Sequence, residues 1–200
     1  ALCLCLLCWQ TLGFAAVPLD RAQGRGLPVG AQSLHWVDPS GSADLAGAQA
    51  AHAAGRFQPI QPGTRTGQDE EVHWLRIAVE QTRHHGDWVL ALHTTAIDDV
   101  RFFGPFDARG QALAPPVLTG LVQAYATRPV ANERPAMRLQ LEQAGRYVVF
   151  MRLQSRSSQT LEVSAWDTVT YLQSRQHKRL FDGIVYGILL VLLVYNLVLA

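Results

Sequence analysis

The sequence predicts an all-β fold, an antiparallel β-sandwich with one short helix, followed by a transmembrane α-helix. Two observations support this prediction. From residue 72 to residue 166 the chain consists of short apolar runs separated by turn-forming residues, a pattern typical of antiparallel β-sandwiches. The run from Ile184 to Ala200 then carries no charged side chain, and its length is close to the minimum with which a helix crosses a bilayer.

The N-terminal segment, residues 1–17, is predicted to be a secretory signal peptide that lacks its first residues. An apolar run over Leu2–Trp9 is followed by small residues at 13–16 that suit cleavage. A cleaved signal and an uncleaved anchor both stay open, and both place the next domain on the far side of the membrane. Every cysteine lies in this segment, so the mature part has no thiol for a disulfide or a zinc site. The three cysteines are Cys3, Cys5 and Cys8.

A linker and the start of a domain are predicted next. Residues 18–31 are rich in Arg, Gly and Gln and are expected to connect the leader to a domain over residues 32–167. The domain begins with a strand candidate over 33–37, which ends in turn-forming residues. One helix candidate follows over Ala43–Ala54, with Ser42 as the expected N-cap and Gly55 as the stop.

Six further strand candidates follow, interrupted by a Pro-rich loop around Pro115 and Pro116. In the clearest of them, Trp74, Arg76 and Ala78 alternate with Leu75, Ile77 and Val79, which places the two sets on opposite faces. The candidates are Val72–Val79, Trp88–His93, Val100–Phe103, Met137–Leu141, Arg146–Leu153 and Leu161–Trp166.

The C-terminal part is predicted to be helical throughout. Residues 168–183 form a connecting helix without Gly or Pro before Gly183, and it continues into a first transmembrane helix, truncated, over 184–200. A continuous helix can transmit a rigid-body shift of the domain, whereas a flexible linker would absorb it. Tyr195 and Asn196 are polar groups at membrane depth, which favours a helical bundle over a single anchor.

Charge is low and nearly balanced, with a net charge of +1 and 16% charged residues. Lys178 is the only lysine, and no Lys/Arg stripe exists that would neutralise a phosphate backbone, so nucleic acid is not an expected partner. The basic cluster within Arg175–Arg179 opposes the positive-inside tendency. The leader and the long domain are expected to dominate over it, which predicts an inner-membrane location with the domain in the periplasm.

Short motifs along the mature chain carry a resemblance to a known family. In order they are Leu34–Pro39, Trp74–Arg76, Trp88–Leu90, Asp98–Phe103, Tyr147–Arg152, Tyr186–Leu190 and Tyr195–Asn196. Their order resembles bacterial 7TM receptors with diverse intracellular signalling modules, specifically the extracellular type 2 sensor domain and the start of the first of seven helices. The resemblance implies a jelly-roll-like sandwich, similar to carbohydrate-binding modules, that senses a ligand. It also implies a cytoplasmic output, commonly a diguanylate cyclase or a histidine kinase.

Four residues are predicted to contact the ligand, namely Trp74, Arg76, Trp88 and Arg152. Tryptophan offers a flat amphipathic surface to a sugar ring, and core packing is the alternative, above all for Trp88 and Trp166. An arginine within an apolar strand must be paired or must meet an anionic or polyhydroxylated ligand. The acidic residues that could pair with Arg76 or Arg152 are Asp98, Asp99 and Glu162.

No metal, cofactor or catalytic site is predicted. His84 and His85 at a turn and His93 on a strand lack the spacing of metal ligands. Neighbouring carboxylates within Asp69–Glu71 point to opposite faces of an extended chain and so cannot flank one bond. Phosphate-binding and dinucleotide-binding motifs are missing from the sequence as well. This part of the protein is therefore not expected to be an enzyme.

The first functional hypothesis is a receptor domain that binds a small molecule, with carbohydrate as one class, and relays binding through a transmembrane bundle to a cytoplasmic output. The alternative is a membrane-anchored exported carbohydrate-binding module without signalling. A membrane-tethered hydrolase is the third hypothesis, and it lacks a catalytic constellation. The expected partners are the ligand, membrane lipid and a second copy of the chain in a homodimer.

Overall fold

The computed structural model of the 200-residue chain describes residues 16–22, 26–66, 71–124 and 134–199. Most of the predicted signal peptide lies outside the described residues, as do Asp69 and Glu70 of the acidic run and the side chains of residues 175–180 and 182. The domain predicted over residues 32–167 falls almost entirely within the described part of the chain.

The described chain contains eleven β-strands and two α-helices. The strands are β1 (Val17–Pro18), β2 (Leu27–Pro28), β3 (Ser33–Asp38), β4 (Gln58–Pro59), β5 (Val72–Gln81), β6 (Gly86–Leu92), β7 (Asp99–Phe106), β8 (Val117–Thr119), β9 (Ala136–Leu141), β10 (Gly145–Gln154) and β11 (Val163–Asp167). The helices are α1 (Leu45–Ala53) and α2 (Thr168–Leu199), with 3₁₀ turns at Leu19–Arg21 and Gly30–Gln32.

The strands form two sheets. The larger sheet has the order β4-β3-β5-β10-β7-β8, and β1 joins it by pairing parallel to β5; the smaller sheet has the order β2-β11-β6-β9. All other strand pairs are antiparallel. The prediction of a mostly β fold built from antiparallel sheets with a short helix is confirmed.

A hydrophobic core lies between the two sheets. It includes Leu75 and Ile77 from β5 of the larger sheet and Leu90, Leu92 and Leu139 from the smaller sheet, all fully buried. Burying branched apolar side chains stabilises such a core by about 1.5–3 kcal/mol for each of them. Because both sheets contribute to one cluster, they face one another as the layers of a sandwich do.

The predicted alternation along β5 is confirmed. Leu75, Ile77 and Val79 enter the core between the sheets, whereas Trp74 belongs to a second cluster on the opposite face of the larger sheet. We call that opposite face the outer face. The outer cluster is covered in part by α1, and its buried members are Leu34, Ala48, Ala51, Phe57, Val72, Trp74, Phe106 and Phe150.

Some predicted boundaries differ from the structure. Helix α1 begins later than expected, and its N-cap is Asp44, whose carboxylate accepts a hydrogen bond of 2.8 Å from the backbone N–H of Gly47. Ser42 instead hydrogen-bonds Ser40 in the preceding turn. The two-residue strands β1 and β2 border or lie within the region predicted as a linker, and β8 follows the Pro-rich loop. These strands are too short to show a period in the sequence.

Helix α2 is continuous over 32 residues and begins directly after β11. Asp167 caps it by accepting a hydrogen bond of 3.1 Å from the backbone N–H of Thr170. The large apolar side chains between residues 184 and 199 are 38–79% exposed. Among the described residues, no helix combines the length and the apolar character needed to cross a membrane. The transmembrane helix over residues 184–200 therefore stays a prediction.

Candidate ligand-binding site on the outer face of the larger sheet

The register of the larger sheet aligns two rows of side chains on the outer face. In the first row Arg76 of β5 lies opposite Leu34 of β3 and Phe150 of β10. In the adjacent row Trp74 lies opposite Trp36 of β3 and Arg152 of β10. Side chains two residues apart on a strand share a face, so the sheet brings Arg76 and Trp74 together beside α1.

Arg76 is a half-buried cation without a pairing partner in the described part of the chain. It forms no hydrogen bond and no ion pair with any described residue. Burial lowers the pKa of its guanidinium from the ordinary 12.5, yet arginine keeps its charge in proteins. A charge withdrawn from water is costly when nothing compensates it. The site therefore holds a positive charge that an incoming group can satisfy.

Trp74 presents a second group without a partner. Its side chain is completely buried and stacks on Phe103 of β7, with ring centroids 5.6 Å apart and planes 25° from parallel. Its indole Nε1–H finds no hydrogen-bond acceptor in the described part of the chain. Buried polar groups are nearly always hydrogen-bonded, so an orphan donor one row from Arg76 supports the assignment of a ligand site here.

Aromatic rings from α1 and the segment after it form one wall of the site. The ring of Phe57 lies 5.6 Å from that of His52, 5.8 Å from that of Trp36 and 6.3 Å from that of Phe150. Burial lowers the pKa of His52, and the positive charge of Arg76 lowers it further. His52 is therefore neutral at pH 7 and offers both a hydrogen-bond donor and an acceptor at the edge of the site.

The structure supports different roles for the other two predicted residues. Arg152 lies in the row beside Arg76 but pairs with Asp99, with 3.1 Å between Nη1 and Oδ2, and both side chains are only 13% exposed. Trp88 lies on the smaller sheet and faces the core, where its Nε1–H donates a 2.7 Å hydrogen bond to Gln81 Oε1. Ligand contact by Arg152 or Trp88 stays an untested prediction.

The acidic residues proposed as partners for the arginines are all engaged elsewhere. Asp98 pairs with Arg156 at 3.4 Å, Asp99 pairs with Arg101 and Arg152, and Glu162 lies 3.7 Å from His93. Pairing with an acidic residue, the alternative to ligand contact, therefore applies to Arg152. It does not apply to Arg76 within the described part of the chain.

The comparisons with known proteins identify the domain. The family model described as 7TMR-DISM extracellular 2 matches residues 30–167. The chain belongs to the 7TMR-DISM extracellular 2 family. No curated protein matches it. The chain therefore carries an extracellular sensor domain of a membrane receptor, as the motif order predicted, on the outer side of the membrane.

Sequence reasoning missed the aromatic wall of the site in this 7TMR-DISM extracellular 2 domain, above all His52 and Phe57. His52 and Phe57 come from α1 and the segment after it, and they lie on the outer face only because α1 folds over it, which brings His52 within the electrostatic influence of Arg76 and Phe57 against Phe150. A histidine near the end of an Ala-rich helix carries no signal of a site by itself. The register that aligns β3, β5 and β10 was likewise not available from the sequence.

A histidine pair lies on the same sheet as the candidate site. His35 Nε2 and His73 Nδ1 are 2.9 Å apart, and the rings stack with centroids 5.1 Å apart. Burial, followed by the neighbouring His73, lowers the pKa of His35 to about 4, and burial lowers the pKa of His73. Across the described residues, no group of three or more potential ligands is arranged to hold a metal ion.

One arrangement in this sensor domain has the order of a hydrolytic triad. His93 Nε2 lies 2.7 Å from Ser164 Oγ, and His93 Nδ1 lies 3.7 Å from Glu162 Oε2. Ser164 is 2% exposed and sits within β11, so a substrate carbonyl has no path to its hydroxyl. Nucleophilic catalysis requires that access, and the arrangement is better described as a hydrogen bond between neighbouring strands.

Proposed function

We propose that this sensor domain binds a small molecule on the outer face of its larger sheet and relays binding across the inner membrane. The domain lies in the periplasm, its fold is jelly-roll-like, and residues 184–200 form the first helix of a transmembrane bundle. The relay ends in a cytoplasmic output such as a diguanylate cyclase or a histidine kinase. Membership of the 7TMR-DISM extracellular 2 family supports this proposal.

The observation that carries the binding site is a half-buried arginine without a partner in the described part of the chain, next to a buried tryptophan whose indole N–H is unpaired there. Arg76 has no partner among the described residues, and the buried Nε1–H of Trp74 has no acceptor there. A ligand that supplied an acceptor to Arg76 would give the half-buried guanidinium its missing partner, and a hydrogen bond to a charged group contributes about 1.5–3 kcal/mol. Ligand sites combine apolar walls with a few placed polar groups, and this face has both.

The relay is supported by the way α2 leaves the domain. Tyr171 in the first turns of α2 is buried against Val89 and Ala91 of β6 and Ala136 of β9. Thr168 Oγ1 donates a 3.0 Å hydrogen bond to Asp87 Oδ1 of β6. Because the helix is fixed to the smaller sheet and continues without a break to Leu199, a change in the domain moves the apolar segment with it.

The alternative is a membrane-anchored carbohydrate-binding module without signalling. The half-buried ring of Trp36 beside the site favours stacking on a sugar. The two functions differ in what the whole protein must contain: a receptor requires further membrane-spanning segments and a cytoplasmic module, whereas an anchored module requires neither.

A thermal-shift screen of the complete chain in detergent tests the binding function. Sugars, organic acids and peptides are added singly, and a ligand of the native state raises the midpoint of unfolding by mass action. We expect at least one class to raise the midpoint in the wild type and to lose its effect in Arg76→Gln. A shift that persists in Arg76→Gln would remove this residue from the site. The lack of a shift from every class would contradict the sensing function.

A further inference from the structure

We propose that the ligand is a small monocarboxylate with a flat apolar body, whose carboxylate pairs with Arg76 while its body packs against the rings of Phe57 and Phe150. This inference rests on the function proposed above and specifies the class of ligand. It follows from the charge, the donors and the apolar surroundings of the site.

The charge of the site is positive and uncompensated within the described residues. Two carboxylates on the outer face, those of Asp38 and Asp99, lie two rows from Arg76, in the row of Val72, and both already bind other groups, although Oδ1 of Asp99 has no hydrogen-bond partner among the described residues. Asp38 accepts hydrogen bonds from the backbone N–H of Ala43 and from Ser40, and Asp99 pairs with Arg101 and Arg152. A bound anion would supply the missing counter-charge of Arg76, and the guanidinium binds a carboxylate through two parallel hydrogen bonds.

The hydrogen-bonding groups of the site are too few for a sugar. Besides Arg76, the donors beside the site are the indole N–H groups of Trp36 and Trp74 and one ring N–H of His52. Each sugar hydroxyl that becomes buried without a partner costs about 1–3 kcal/mol. A carboxylate matches the available donors, whereas glucose or glucuronate would leave several hydroxyls unpaired.

The surroundings of Arg76 are apolar and aromatic. Leu34 and Phe150 flank it in its own row, and both are more than nine-tenths buried. Phe57 contacts Phe150 edge-on, with an angle of 84° between the rings. Aromatic rings favour stacked or edge-to-face contacts with a second flat ring, so a planar body beside the carboxylate fits this wall better than a flexible polar chain.

A groove elsewhere on the domain fits an anion less well. A groove of about 760 Å³ lies between residues 105–114 and the hairpin of β9 and β10, and its lining includes Arg138 and Arg146. Arg138 is paired with Asp87, and Arg146 lies 3.7 Å from Glu80. The groove lining also includes Asp107 and Glu142. Arg109 also lines the groove and has no ion pair among the described residues, so what distinguishes the groove from the site of Arg76 is the presence of carboxylates in its lining.

Isothermal titration of the complete chain in detergent tests the inference with matched probes. Benzoate and phenylacetate are compared with benzamide and phenylacetamide, which have the same shape without the charge, and with glucose and glucuronate. We expect the two aromatic carboxylates to bind and each amide to bind about 10- to 100-fold more weakly, because a hydrogen bond to a charged group contributes more than a neutral one.

The variants Arg76→Gln and Arg76→Lys test the role of the guanidinium. We expect Arg76→Gln to weaken benzoate binding by about 10- to 100-fold and Arg76→Lys to weaken it less, since lysine keeps the charge but loses the two-bond geometry. Arg146→Gln is the matched control, because it removes an arginine whose side chain is 74% exposed on β10, and it should bind like the wild type. Circular dichroism of each variant verifies that it is folded, and Arg76→Lys carries the test if Arg76→Gln does not fold.

Three results would overturn the inference: equal binding of benzoate and benzamide, unchanged benzoate binding in folded Arg76→Gln and Arg76→Lys, or no carboxylate binding at millimolar concentrations. If glucose or glucuronate binds more tightly than benzoate and depends on Arg76, the ligand class is wrong and the sensing function stands. If no compound of any class binds, the sensing function fails as well.

Discussion

At the scale of single residues, the stacked pair of His35 and His73 makes the stability of the domain depend on pH. The pKa of His35 is about 4 in the folded protein, below the value near 6.5 of an unfolded histidine. Its neutral form therefore stabilises the fold at and above pH 6.5, and this contribution is lost as the pH falls from about 6.5 towards 4. The pKa of His73 is also lowered, by burial, so its effect has the same sign.

We expect protonation of His35 to lower the free energy of unfolding of the wild type by about 3 kcal/mol between pH 7 and pH 4, as measured by urea unfolding. The free energy of unfolding of His35→Gln should fall less over the same pH range, because glutamine does not titrate. His84→Gln is the control, since His84 is exposed in the turn after β5, and it should follow the wild type. Identical pH profiles for the wild type and His35→Gln would contradict the assignment.

A second prediction concerns the buried hydrogen bonds of Gln81. Its amide donates to the carbonyl of Leu141 at 2.8 Å and accepts from Trp88 Nε1 at 2.7 Å. A Cβ on Gly86 would lie 1.9 Å from Gln81 Oε1, which explains the glycine beneath this pair. Gln81→Leu leaves two buried groups unpaired and should lower the free energy of unfolding by about 2–4 kcal/mol.

Urea unfolding at pH 7 measures this loss. Gln140→Leu on the exposed side of β9 is the matched control, and it should change the free energy of unfolding by less than about 0.5 kcal/mol. Equal losses in the two variants would show that the hydrogen bonds of Gln81 contribute nothing specific.

The residues of the candidate site differ in how far the sequence could predict them. Arg76 and Trp74 were predictable because the two-residue period of β5 places them on one face, opposite Leu75 and Ile77. Arg152 has the same local pattern, and only the fold shows that Asp99 is its partner. The position of Phe57 depends on how α1 folds over the sheet, which no local pattern encodes.

At the scale of elements, the start of α2 is the joint between the domain and the apolar segment. Tyr171 is 3% exposed and lies 5.8 Å from the ring of Trp166. We expect Tyr171→Ala to release the first turns of α2 from the smaller sheet, because the substitution removes most of the buried contact of this helix. Amide hydrogen exchange of residues 168–174 should become faster, while exchange in β5 and β10 stays unchanged.

Leu172→Ala is the control for this prediction, since Leu172 lies on the same turn with its side chain 53% exposed, and it should leave exchange near the wild-type rate. Faster exchange spread evenly over the whole domain would mean that Tyr171 supports the fold in general and has no special role in holding α2.

The positions of strands were predicted accurately where a strand was long enough to show the two-residue alternation of side chains. β5 and β10, with ten residues each, were located to within two residues at each end. β1, β2 and β4 contain two residues each and include a proline, which the sequence alone associates with loops and edges. Their strand geometry comes from the neighbours with which they pair, so tertiary structure and not local propensity determines them.

At the scale of the whole molecule, the remaining question is how the sensor domain is held at the membrane. Helix α2 extends from the domain with apolar side chains that are at least 38% exposed from Ile184 onwards. So much exposed apolar surface is unusual in a soluble monomer and is typical of a surface that contacts lipid or protein. The receptor function therefore requires residues 184–200 to enter the bilayer.

Membrane retention tests this requirement directly. The chain from Ala16 onwards is exported behind a cleavable signal, and membranes are extracted with carbonate at high pH. We expect the wild type to stay in the membrane fraction and the double variant Leu190→Lys/Leu193→Lys to be released, because each lysine near the centre of a spanning helix costs about 2.5–3.5 kcal/mol. The matched control, Val169→Lys/Leu172→Lys, places the same charges on exposed positions near the domain and should be retained. Release of the wild type, or retention of the first double variant, would contradict the transmembrane assignment and with it the proposed path of the signal.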